Sequence, residues 1–355
     1  MTSSSSNSLI PNDRTIAVLN LPRQYNFGID MKMWEIGEKF MGVSELTPGV
    51  HYVYYSSQQD EIRQGFYHFT SGNGEPGVFK WDPSVESLTV PNSYEERQGV
   101  QRATVSDVKF LTGLAPYNRC IESETAEMWE EATSFITRAT IERIEPLNSA
   151  AFRSIPQKSD DIPKSNADFR TIFWTNIPRI KAPVGHTPAE RSEFYLERSE
   201  YLQSVVRLFE SPQEMIGELQ ASFILFLLGL NYDAFVQWKQ ILEVLLSCKE
   251  KAVDANIELF TDFTRALWFQ IKQLPVDLMN DPTIMCEEEE IGAKRGSVFL
   301  VPLLGEFIEV CRDDSLVFNR QLQKNIDRID KEMKLRFGSE WMFDYIPSQD
   351  EPLIV

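Results

Sequence analysis

Hydrophobic positions along this chain keep two different spacings. From residue 14 to about residue 83 they fall in short aromatic and β-branched runs: TIAVLN (15–20), VHYVYYS (50–56), QGFYHFT (64–70) and GVFKW (77–81). Turn-forming residues bound each run. The first ends at Leu21 and Pro22, because a residue before proline is driven to extended backbone. The second follows Thr47, Pro48 and Gly49, the third leads into Ser71, Gly72, Asn73 and Gly74, and the fourth stops at Asp82 and Pro83. Runs of this kind between Gly, Pro and Asn turns predict an antiparallel, sheet-rich domain. Between residues 93 and 145 the spacing turns helical, and a short helix is predicted to begin at Thr140, Ile141 and Glu142 and to end at Pro146.

After a polar, proline-broken stretch (147–167) and one further strand-like run, DFRTIFWT (168–175), apolar residues recur at helical spacing. Thr187, Pro188, Ala189 and Glu190 form a capping box. The Thr oxygen can take the N3 amide, Pro at N1 forfeits only an unused donor, and Glu at N3 reaches back. Ser211, Pro212, Gln213 and Glu214 repeat the device, which predicts helical hairpins. Three apolar stripes follow. They are Phe235, Trp238, Ile241, Leu242 and Leu245; then Phe260, Phe263, Leu267 and Ile271, ended by Pro275; then Leu322, Ile326, Ile329 and Met333, with Gly338 as the stop. Residues 291–312 read as a helix, and Glu287, Glu288, Glu289 and Glu290 as a solvated acidic loop.

The resulting fold class is α+β, a β-rich N-terminal domain of antiparallel sheets with a few helices followed by an all-helical domain. The boundaries read as a flexible N-terminus (1–13), the β-rich domain (14–146), a linker that can hold a returning strand (147–186), the helical domain (187–340) and a flexible C-terminal tail (341–355). A length of 355 residues suits about two domains.

Net charge is -18, from 35 Lys and Arg against 53 Asp and Glu. That balance disfavours direct nucleic-acid binding, which draws on basic surface to displace counterions, and equally disfavours anionic membranes. The four cysteines, Cys120, Cys248, Cys286 and Cys311, form no C-x-x-C pair and no zinc spacing, which fits a reducing compartment. No signal peptide and no membrane span are expected: the apolar run 221–230 is too short and reads as a core helix.

Candidate chemistry is sparse. Of the three histidines, His51 and His68 lie on predicted strands and could meet across a sheet, while His186 precedes a helix start. A hydrolase built on His51 or His68 is one reading; ordinary sheet-face histidines are the other. No G-x-S-x-G, Walker, H-E-x-x-H or G-x-G-x-x-G motif occurs, so no catalytic residue, cofactor or metal is expected. The segment 27–57, FGIDMKMWEIGEKFMGVSELTPGVHYVYYSS, mixes core-type aromatics with Gly28, Gly37, Gly42 and Gly49 and carries no chemistry of its own. It suggests a shape built for assembly.

This segment also carries a resemblance. With Asn20, Leu21 and Pro22 before it and GFYHF, GVFKWD and MWEEATSFITRATIERIEP (128–146) after it, it resembles the N-terminal domain of the AAR2 family of spliceosomal assembly factors. HTPAERSEFYLERSEYLQSVV (186–206) and GELQASFILFLLGLNYDAFVQWKQILEVLL (217–246) are similar to that family's helical domain. The match covers roughly residues 14–274 and weakens after Met279. The resemblance implies a non-enzymatic chaperone of the U5 small nuclear ribonucleoprotein (U5 snRNP), found in cytoplasm and nucleus and supporting pre-mRNA splicing. Its partners would be the large U5 scaffold protein, through RNase-H-like and MPN (Jab-like) domains, and other U5 snRNP proteins, with no direct nucleic acid and no membrane. It would hold off the helicase and RNA that join the scaffold later. The resemblance further implies a helical domain similar to VHS modules and a C-terminal tail that adds a strand between two scaffold domains. In this chain Pro352, Leu353, Ile354 and Val355 would do so, the last three being β-prone. Taken alone, the helical half suggests a VHS-like adaptor in protein trafficking.

Overall fold

The computed structural model describes residues 12–57, 63–90, 108–145, 172–276, 279, 300–339 and 341. These fall into two compact units, one of residues up to 174 together with 224–231, the other of 175–223 and residues from 232 onward.

Among the described residues nine strands belong to the first unit: β1 (Ile16–Leu19), β2 (Tyr25–Ile29), β3 (Lys32–Glu35), β4 (Gly42–Ser44), β5 (Gly49–Ser57), β6 (Arg63–Thr70), β7 (Gly77–Asp82), β8 (Ser87–Thr89) and β9 (Leu114–Pro116). The four predicted runs form β1, β5, β6 and β7. A four-stranded sheet in the order β3-β2-β5-β6 is antiparallel throughout. A five-stranded sheet in the order β8-β7-β1-β4-β9 is mixed: β1 pairs with β7, and β4 with β9, in parallel. The expectation of antiparallel pairing therefore fails at these two ladders. Antiparallel neighbours can be joined by a tight turn, whereas parallel ones need a long crossover. Here the four-stranded sheet is inserted between β1 and β7, and helical segment lies between β4 and β9.

Both sheets contribute to one core. Ile16, Val18 and Phe79 of the mixed sheet meet Phe27, Val53, Tyr55 and Phe66 of the antiparallel one, all at 1% exposure or less. β5 is buried on both faces. His51, Val53 and Tyr55 share one face, and Tyr52 and Tyr54 lie on the other with their rings stacked at 5.5 Å. Gly28, opposite Tyr54 in register, lies beneath its ring, where a β-carbon would collide with the ring atoms. Gly42 combines φ 129 with close approach to Ile16 O. These contacts account for two of the glycines in the segment 27–57.

Between β8 and the linker the described residues of this unit also form the helices α1 (Val108–Gly113), α2 (Tyr117–Cys120), α3 (Ser123–Ala132) and α4 (Arg138–Ile144). The last begins two residues before the predicted start. Thr137 is the N-cap, and its hydroxyl and that of Thr140 close a reciprocal capping box, so Thr140 is the third helical residue. β6 is an edge strand of its sheet, and the buried Glu145 carboxylate, just past α4, accepts the Tyr67 N–H at 3.1 Å. Occupying an edge amide in this way limits edge-to-edge pairing. Residues 146–171, which take in the first part of the linker, lie outside the described residues; in the strand-like run 168–175 the described residues 172–175 form no strand, and Phe173 N donates to Ile144 O at 2.8 Å.

Helices α5 (Pro188–Glu197), α6 (Ser199–Val206), α7 (Pro212–Gly229), α8 (Tyr232–Leu246), α9 (Glu250–Ala255), α10 (Ile257–Gln273), α11 (Leu300–Cys311) and α12 (Arg320–Phe337) follow. The starts of α5 and α7 are where the caps placed them. Thr187 and Glu190 form the reciprocal box of α5, and Ser211 Oγ accepts Glu214 N at 3.2 Å at the start of α7. Arg198, at φ 60, separates α5 from α6 in the left-handed region that side chains rarely adopt. The three stripes are buried as predicted, and α10 packs along α12. Gly338, at φ 93, closes α12. Among the described residues no helix is long and apolar enough to cross a membrane. The acidic residues 287–290 and Cys286 lie outside the described residues.

Candidate functional site

Pro352, Leu353, Ile354 and Val355, the tail residues proposed from sequence to meet a partner, lie outside the described residues. The described chain ends at Trp341. Trp341 is fully buried, and its indole N–H donates to Asp330 Oδ1 at 3.1 Å. Asp330 Oδ2 in turn accepts from Arg312 Nη2 at 2.9 Å and Lys334 Nζ at 2.8 Å. Burial opposes ionisation of this carboxyl, but the hydrogen bonds from Lys334, Arg312 and Trp341 outweigh it and hold its pKa below the ordinary value. The root of the tail is thus fixed to the middle of α12.

The two strand histidines do come together. His51 and His68 are register partners across β5 and β6, on the core face. Each is committed elsewhere. His51 Nδ1 donates to Asp30 Oδ2 at 2.8 Å and Nε2 donates to Thr47 O at 2.8 Å. Asp30 occupies the two-residue turn between β2 and β3 at φ 55, a backbone region that Asp tolerates better than most residues. It accepts additionally from Tyr52 N at 3.0 Å and Tyr117 Oη at 2.5 Å. Every one of these groups donates to Asp30, so the carboxylate is an acceptor throughout. With a carboxylate and a carbonyl oxygen facing its two nitrogens, the His51 ring is placed to donate from both, which favours its protonated form. Burial alone would lower its pKa; the Asp30 charge and the bonds to Asp30 and Thr47 raise it above the ordinary value instead.

His68 takes the opposite state. Its Nε2 donates to Asp13 O at 2.9 Å. Burial pulls its pKa down to about 4, the His51 charge adding to the effect against the bond to Asp13. Asp13 itself is buried, and its carboxylate accepts from Ser71 N at 2.7 Å, Ser71 Oγ at 2.8 Å and Gly72 N at 2.8 Å, pinning the turn after β6. Burial opposes its charge, yet those donors hold its pKa below the ordinary value.

This cluster is built to hold a sheet. A general base needs a ring nitrogen within reach of substrate, whereas His51 is 1% exposed with both nitrogens engaged. Among the described residues no group of three His, Cys, Asp or Glu is placed to hold a metal ion. The opposed protonation states give a direct expectation. In NMR titration the His51 ring should keep its imidazolium shifts above the ordinary midpoint of about 6.5, while the His68 ring stays neutral down to about pH 4. Midpoints near 6.5 for both rings would contradict the assignment. For stability, neutral His68 binds fewer protons than the unfolded chain between about pH 6.5 and 4. Stability is therefore lost as pH falls through that window, by about 3 kcal/mol from this group.

One surface feature escaped the sequence reading. Arg320, Lys324, Arg328 and Lys331 recur at spacings of four, four and three along α12, on the face away from its apolar stripe. The spacing itself was the available signal, masked by the overall acidity of the chain.

Comparison with known proteins accounts for both units. Residues 12–146 match the family model of the AAR2 N-terminal domain, and residues 174–344 match that of the AAR2 C-terminal repeat region. The second match runs well past Met279, where the motif-level resemblance weakens. The chain is 27% identical over 379 residues to the Protein AAR2 homolog of Homo sapiens, covering 96% of this chain and 93% of that protein. Against the Caenorhabditis elegans homolog the identity is 30% over 305 residues, 76% and 82% of the two chains. The A1 cistron-splicing factor AAR2 of Saccharomyces cerevisiae is 22% identical over 291 residues, 74% of this chain and 77% of its own.

Proposed function

Because the chain belongs to the AAR2 family, a yeast member of which is named as a splicing factor, we propose that it acts in pre-mRNA splicing as a non-enzymatic assembly factor of the U5 snRNP. It binds the large U5 scaffold protein, engaging RNase-H-like and MPN-type domains, and so delays the helicase and RNA that occupy the same surfaces later. It works in the cytoplasm and the nucleus. The observation that carries this reading is the paired match: both AAR2 family models are satisfied, in order, over residues 12–146 and 174–344. A trafficking adaptor would use the helical half alone and leave residues 12–146 without a role.

Two physical features support the reading. A net charge of -18 complements a basic, RNA-binding partner and speeds encounter with it. The tail has a fixed origin at Trp341, which favours its use as an extension reaching a second scaffold domain. The experiment is co-purification with a scaffold fragment carrying both domains, using the full chain and a chain truncated at Asp350. Capture of both domains by the full chain and loss of bridging on truncation are expected. Unchanged bridging would reject the role of Leu353, Ile354 and Val355, and failure of the full chain to capture the fragment would reject the reading itself.

A further inference from the structure

The basic face of α12 stands out in so acidic a chain. Arg320, Lys324 and Lys331 are exposed, and among the described residues none of them has a salt-bridge partner. Arg328 is held against the Trp268 ring, 3.5 Å from its centroid, with Lys272 5.5 Å from the same ring. Asp327, on the same face, is bridged to Arg312 at 3.3 Å. An open groove of about 510 Å3 runs along these side chains. Phe318, 77% exposed, lines it too, and Val317 beside Phe318 is 66% exposed. The face therefore offers cations beside an uncovered aromatic.

We infer that this face is the docking site of the chain's own C-terminal segment, residues 342–355, in the unpartnered protein. Three observations select that occupant. The segment carries Asp344, Asp350 and Glu351 and no Lys or Arg, the opposite charge to the face. It also carries Phe343, Tyr345 and Ile346, apolar groups suited to Phe318. And its starting point is close: Trp341 donates to Asp330, and Arg312 bridges Asp330 to Asp327, which lines the groove. From Lys331 to Arg320 is about 16 Å along the helix. The nine residues from Trp341 to Asp350 span up to about 30 Å, enough to run the length of the face. A tether this short gives the segment a high local concentration at the groove. Solvent-exposed ion pairs are individually weak, so the docked tail remains releasable. A nucleic acid is the poorer occupant, since four cations on one helix are set in a chain of net charge -18.

The inference goes beyond the assembly reading and stands without it, being a property of the isolated chain. In functional terms, a docked tail must be released before it can pair with a partner, which lowers the apparent affinity of the partner by the undocked fraction. The test is zero-length carbodiimide crosslinking of the full chain, with peptide mapping of the monomer. Amide links from Lys324 or Lys331 to Asp344, Asp350 or Glu351 are expected. They should disappear in about 1 M salt, where the screening length falls to about 3 Å, and in the double substitution Asp350→Asn, Glu351→Gln if only those two carboxylates dock. Absence of tail links, links to Glu287 through Glu290 instead, or links confined to dimers would each overturn the inference. So would retention of a labelled single-stranded RNA by the full chain that is abolished by Lys324→Glu with Lys331→Glu.

Discussion

Replacing Asp30 by Ala should destabilise the N-terminal unit by about 3–5 kcal/mol, the range for removing one partner of a buried ion pair. The reason is the number of groups that converge on this carboxylate. His51, Tyr52 N–H and Tyr117 Oη all donate to it at full burial, and its loss strands each of them without an acceptor. The His51 charge would then lack its counter-ion, and the ring should deprotonate. The effect is read by urea unfolding followed through tryptophan fluorescence, and a loss below about 1 kcal/mol would contradict it. Combining Asp30→Ala with His51→Ala should cost less than the sum of the single changes, because each removes the same interaction. The pH dependence follows from the sign of the shift. A folded-state pKa raised above the unfolded value means that the stabilisation is fully present below about pH 6.5 and is lost as pH rises through the folded value. The Asp30→Ala variant should lack that alkaline loss.

A second large effect is expected at Trp341. Trp341→Ala should cost the helical unit about 3–5 kcal/mol, the usual range for emptying a buried tryptophan site. It removes a fully buried indole and one of the donors that hold Asp330 ionised. Trp341→Phe keeps most of the packing and loses the hydrogen bond alone, so about 1 kcal/mol is expected. The contrast separates anchoring from packing. An Ala variant as stable as the parent would mean that the chain does not need this anchor.

How much of this was legible in the sequence depended on how local the cause is. Caps act within three residues, so Thr187 with Glu190 and Ser211 with Glu214 marked helix starts that the structure reproduces. Long aromatic runs closed by turns gave β1, β5, β6 and β7. The three-residue strands β4, β8 and β9 are too short for alternation to register. The parallel pairings depend on contacts across whole inserted segments. The same distinction holds for the polar cluster. That His51 and His68 could meet was visible from their strands. That Asp30 lies 21 residues and Tyr117 a further 66 residues from His51 was not, and these two decide what the histidine does. On α12 the apolar stripe was read and the cationic face passed over, because a net charge of -18 describes the chain and not the helix.

The proposed role of this chain is that of a scaffold-binding assembly factor. Its most direct measurement is sedimentation velocity of the full chain with the scaffold fragment carrying RNase-H-like and MPN-type domains, at about 0.15 M salt. A faster-moving complex is predicted, one that excludes the helicase fragment added afterwards; two components that sediment independently, or a complex that admits the helicase unhindered, would contradict it.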